Sequence, residues 1–133
     1  MCLTRAATET EKRNEFSVQT DIEGRRKAFK VLTPGGELPF QGMEDKLPKS
    51  RWINEKKYRY DSNIKSLPFS GVEGAKRYVT GFHIFVSELD AIRYSKSFSQ
   101  NLTVKKVYFR KVVARGYQDK YRVIVCKEIA LVA

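Results

Sequence analysis

The sequence has little that could hold a metal or a disulfide framework. In 133 residues there are one histidine, His83, and two cysteines, Cys2 and Cys126. Zinc ligands come in closely spaced sets, so no metal site is expected. Cysteines this far apart make no disulfide framework, which points to a reducing, cytoplasmic setting. Walker and G-x-G-x-x-G phosphate loops are also missing. Pro34-Gly35-Gly36 is a turn without the Lys-Ser/Thr of a phosphate cradle, so no cofactor is expected. No uncharged stretch reaches the roughly 20 residues of a membrane span. The first 15 residues are polar and show no secretory signal.

Acidic residues are scarce as well: 15 Asp and Glu stand against 26 Lys and Arg, a net charge of +11 and a pI near 9.8. The excess is uneven. Residues 1–50 carry a net +1, and residues 51–133 carry +10. Charge of one sign gathered in one region attracts polyanions, and nucleic acid is the commonest of these. A hydrophobic fraction of 41% with 12% aromatics fits one globular domain and excludes a disordered chain.

Along the chain, residues 1–14 mix both charge signs without apolar period and read as a flexible arm before a domain spanning 15–133. Residues 27–33 read as a strand ended by Pro34-Gly35-Gly36, and 37–50 as an irregular loop. Residues 51–60 read as a short strand with Trp52, Tyr58 and Tyr60 on one face, and 61–75 as turns. The apolar run 78–86 reads as one central strand. Ser87, with Asp90 three residues on, predicts a helix start, and the helix covers 88–97 with Leu89, Ile92 and either Tyr94 or Lys96 along one side. Residues 102–115 and 121–132 form two strands joined by a turn at 116–119. The fold class is α+β: a mostly antiparallel sheet with one or two helices packed on it, in a single domain.

The strongest site signal is basic and aromatic residues interleaved on strands. Arg51, Trp52, Lys56, Lys57, Tyr58, Arg59 and Tyr60 form one set. Lys105, Lys106, Tyr108, Arg110, Lys111 and Arg115 form the other. Cations track phosphates, and flat rings stack on unpaired bases. Neither register of 102–115 separates apolar from basic residues, so a β-bulge or an edge position is expected there. No zinc-finger, helix-turn-helix, RRM or KH pattern is present to specify bases. Three residues are candidates for catalysis. His83 lies in an apolar run, where a neutral imidazole bonded to backbone is the simpler role. Cys2, once Met1 is removed, would place a thiol beside a free α-amine, a possible nucleophile and base. Glu128 lies in the last strand, whereas Cys126 there reads as core. Gly81, inside a strand, marks a bulge or a close approach.

Met1-Cys2-Leu3, Lys30-Val31-Leu32, the G-F-H-x-F run Gly81–Phe85, the S-x-x-D-A run Ser87–Ala91 and the paired final strands occur in an order that resembles a group of small bacterial and phage proteins. The resemblance covers about 27–132 and implies an origin but no activity. The strand-loop-strand-helix order is also similar to the ADP-ribosyltransferase fold. That likeness implies a late glutamate, for which Glu128 stands, and an Arg or His on the first strand, where this chain has Lys27 and Lys30.

The expectation is a small, basic, non-enzymatic accessory protein, phage-encoded, that binds nucleic acid through 51–60 and 102–115. The alternatives are an interaction factor or inhibitor that captures an acidic host protein, and a small enzyme built on Cys2 or on an ADP-ribosyltransferase-like site.

Overall fold

A computed structural model describes residues 2–38, 46–49, 51–58, 63–71 and 76–132. Its main feature is a sheet of strands β1 (Arg5–Ala6), β2 (Arg26–Leu32), β3 (Ile53–Asn54), β6 (Phe82–Phe85), β7 (Thr103–Gln118) and β8 (Tyr121–Leu131). Strands β4 (Ser66–Pro68) and β5 (Arg77–Val79) form a separate two-stranded ribbon. The helices are α1 (Glu9–Glu15) and α2 (Glu88–Lys96). All pairings between these strands are antiparallel. The fold is therefore α+β, as the sequence pattern predicts.

The sheet closes on itself. β7 pairs with β8 and β2, β2 with β6, and β6 again with β8. β1 continues the β2 side of β7, and β3 continues the β6 side of β8. Closure removes the free edges that invite aggregation and encloses a core. Ala28, Leu32, Phe82, Ile84, Val107, Phe109, Ile124 and Ile129 belong to one apolar cluster drawn from all four ring strands. Val123 and Val125 turn the other way, into a second cluster with Val31, Phe85 and Tyr94 under α2. β8 is thus buried on both faces, which explains its continuous apolar run.

The long strand β7 is bent by a bulge. Its register shifts between Val112 and Ala114, and Lys111 adopts φ 60°. Before the bulge the faces sort cleanly: Val107 and Phe109 are buried, whereas Tyr108 and Arg110 are not. Residues 107–109 are paired on both sides and so lie inside the sheet, whereas Lys105 and Lys106, which precede them, pair with β2.

Several elements differ from the sequence pattern, each for a local reason. Residues 2–14, expected as part of a flexible arm, form β1 and all but the last residue of α1. Thr8 and Glu11 make a capping box that starts α1. Leu3 is fully buried, its N–H donates to the Tyr78 hydroxyl (2.9 Å), and its carbonyl accepts from the Ser70 N–H (2.9 Å). In the described part of the expected strand 51–60, residues 51–58, the strand covers Ile53–Asn54 and is followed by a 3-10 turn at Glu55–Tyr58. There the Asn54 side chain accepts from the Lys56 N–H (3.0 Å), and Glu55 turns inward to pair with Lys127 (3.0 Å). Asn side chains that satisfy a nearby backbone N–H favour turns over strands.

The run 78–86 is two strands, β5 and β6, broken at Thr80-Gly81. The hairpin turn falls at Asp119-Lys120 rather than 116–119, with Asp119 at φ 54°. Gly116 stays in the strand because a Cβ there would meet the Arg5 carbonyl of β1. The α2 start at Ser87 holds, with the Asp90 N–H donating to its hydroxyl (3.4 Å). Its inward residues are Ala91, Tyr94 and Ser95, while Leu89 faces out.

Gly81 permits the crossover from β5 to β6. A Cβ on it would press into the backbone carbonyl of Cys126 and the side chain of Val125. Gly81→Ala is expected to destabilise the fold by about 2 kcal/mol or more, read as a lower urea midpoint. An unchanged midpoint would contradict this packing.

Candidate functional site

The two basic and aromatic segments meet on the outer face of the sheet. Across β7, Tyr108 lies opposite Lys27 of β2 on one side and Ala130 of β8 on the other. Arg110 lies opposite Glu128, which in turn lies opposite Asn54 of β3. β3 therefore delivers the preceding Arg51-Trp52 to this face. The Arg110 guanidinium sits 3.9 Å from the centre of the Trp52 ring. Arg25 sits 4.2 Å from the centre of the Tyr108 ring, and Lys27 lies 5.8 Å from it. Cations in this position are attracted by the ring quadrupole.

Between these groups opens a cavity of about 370 Å³. Arg25, Arg51, Trp52, Tyr108 and residues 130–132 line it. Arg110 covers Trp52 without lining the cavity. The Trp52 ring thus carries a cation while still bordering open space.

Charge at the site is mixed but tilted to the positive. Glu128 pairs with Arg110 (2.6 Å) and Lys111 (3.3 Å) and accepts from Asn54 Nδ2 (3.3 Å). The Arg110 hydrogen bond holds its carboxyl below the usual carboxylate range. Glu128 is thus engaged with two cations of the basic surface. Arg25 is oriented by Asp21, to which its Nε donates (2.8 Å).

The other sequence candidates lie elsewhere. Lys106 faces outward opposite Phe29 and lines an adjoining depression together with Lys27. Lys105 lies in the other register, opposite Lys30. Arg115 is beyond the bulge, opposite Ile124. Lys56 and Lys57 are exposed on the 3-10 turn, and Tyr58 packs inward with its ring 6.2 Å from that of Phe82. Arg59 and Tyr60 fall outside the described residues. Sequence reasoning missed Arg25 and Lys27, because they sit in the nearly neutral first part of the chain. Their pairing with Tyr108 is visible only once β2 and β7 are aligned.

Cys2 and His83 belong to a separate network. His83 Nδ1 bonds the Gly81 carbonyl (3.2 Å), which requires the proton on Nδ1. Its Nε2 therefore accepts from the Tyr78 hydroxyl (2.8 Å). Cys2 directly precedes Leu3, whose N–H this hydroxyl accepts. Lys30 Nζ donates to the His83 carbonyl (3.1 Å). Burial, with the nearby Lys30 charge, pushes the imidazole down to about 3. Burial also brings Lys30 down to about 8. The ring is therefore neutral at physiological pH, and it anchors the hydroxyl that holds the backbone of Leu3. Cys126 is fully buried in the core, its thiol pushed up to about 12 by burial. No cluster of metal-ligating side chains occurs among the described residues, and no helix among them is long and apolar enough to cross a membrane.

No protein-family model, curated protein or solved structure matches the chain.

His83 gives a pH signature. Below pH 6.5 the unfolded imidazole takes up a proton that the folded one refuses until about pH 3. The contribution of the neutral imidazole is therefore complete above 6.5 and is lost as the pH drops from there. With one histidine in the chain, the loss should approach about 1.4 kcal/mol per pH unit near pH 5.5, above the range where carboxylates contribute strongly. Urea unfolding between pH 7 and 5 measures it. A flat profile would show that the imidazole is not held neutral.

Proposed function

We propose that this protein is a non-enzymatic accessory factor that binds nucleic acid through the surface around Trp52 and Tyr108. The observation that carries the reading is convergence. Arg51, Trp52 and Tyr108 border one cavity, and Arg110 stacks on its Trp52 wall, although the two segments are far apart in sequence. Arg25, Lys27 and Lys111 extend the positive field around it. Guanidinium and ammonium groups neutralise phosphates and release condensed counterions, giving sequence-independent affinity. The two rings add stacking, worth about 1–3 kcal/mol per base. A nucleic acid uses both halves of this chemistry, its phosphates meeting the cations and its bases the rings.

The test is fluorescence anisotropy of a labelled oligonucleotide across a salt series starting at about 50 mM, where affinity should fall steeply with salt. Arg51→Ala should weaken binding and reduce the log–log salt slope by about 0.7–0.9. Lys105→Ala, in the other register, should do so far less. No binding at the lowest salt, or equal effects from both variants, would overturn the reading. Capture of one acidic protein that persists after nuclease treatment would transfer the surface to that partner.

A further inference from the structure

Resting on that reading, we infer that the cavity between Trp52 and Tyr108 accepts one unpaired base, so that the ligand is single-stranded rather than duplex nucleic acid. The walls carry the argument. Aromatic faces recognise the flat faces of bases, and in a duplex those faces are hidden in the stack. The cavity, at about 370 Å³, lies within the range of pockets that enclose small organic ligands. Its lining fits such a guest: two rings, an apolar strip at residues 130–132, and the cations Arg25 and Arg51.

Groove recognition inserts a helix or a projecting two-stranded ribbon. Among the described residues, neither helix and neither strand of the β4–β5 ribbon contributes to the cavity lining. Tyr108 belongs to a stretch of β7 that is paired on both sides and lies within the sheet. The adjoining Lys27 and Lys106 sit across β2 and β7 from each other's neighbours, in line with Tyr108. They supply a basic track for the phosphates on one side of a base held in the cavity.

Trp52 is the only tryptophan in the chain, so intrinsic emission reports directly on this site. One oligonucleotide of about 12 nucleotides, within the usual span of single-strand sites, is titrated single-stranded and as its duplex at the same salt. Anisotropy and Trp emission are recorded together. The single strand should bind about tenfold tighter or more, with saturable quenching of Trp52. Tyr108→Ala should remove that preference while leaving weaker, salt-sensitive binding to both forms. Tyr108→Phe, which keeps the ring, should retain it. If the duplex binds as tightly as the single strand, or the single strand binds without changing Trp emission, the inference falls and the nucleic-acid reading stands. If neither form binds, both fall.

Discussion

Everything in this structure depends on β7 being shared. One of its edges runs along β8, while the other serves β2 and then β1. A straight strand of 16 residues could not follow three neighbours and close a ring. The bulge at Val112 and Ala114, with Lys111 in a left-handed conformation, supplies the extra twist. Closure divides side chains into those inside the ring and those outside it. That division sets Tyr108 and Arg110 outward between Lys27 and Glu128, while Val107 and Phe109 fill the core. The basic surface is thus a by-product of how the core is closed.

A buried polar line ties the ring to the N-terminal segment. Lys30 reaches the His83 carbonyl, the His83 ring holds the Tyr78 hydroxyl, and that hydroxyl receives the Leu3 N–H. Each polar group finds a partner, as a low-dielectric interior demands. Lys30 is the costly member, since burying an ammonium with one carbonyl acceptor disfavours its charged form. The line fixes Leu3 and so the start of β1, which continues the sheet beside Gly116. Cys2 therefore stands on a fixed segment and not on a mobile arm.

Much of the fold was legible in the sequence. The α2 start at Ser87, the β2 span and the final strand pair follow from periodicity and capping chemistry, which are local. The bulge was legible too, because no regular register of 102–115 separates its apolar from its basic residues. Misreadings arose where tertiary contacts override local pattern. Gly116 looked like a turn residue, but its missing Cβ makes room for the Arg5 carbonyl. The apolar run 78–86 looked like one strand, but Gly81 breaks it against Cys126. The Thr8–Glu11 capping box was present in the sequence and overlooked amid the charges of the first residues. Of the site, Arg51, Trp52, Tyr108 and Arg110 were visible as basic and aromatic composition. Arg25 and Lys27 were not, because strand pairing and not sequence proximity brings them in.

Charge counting alone would have spread the proposed binding surface over the whole basic part of the chain. The proposed surface is one cavity and its rim, and Lys56, Lys57, Lys105 and Arg115 do not line that cavity. Backbone amide chemical-shift mapping tests that confinement most directly. With a short single-stranded oligonucleotide added to the labelled protein, the largest shifts should fall at Arg25–Lys27, Arg51-Trp52, Tyr108–Arg110 and residues 130–132. Shifts centred on Cys2 and His83, or scattered over the exposed lysines with none at Trp52 and Tyr108, would contradict the account.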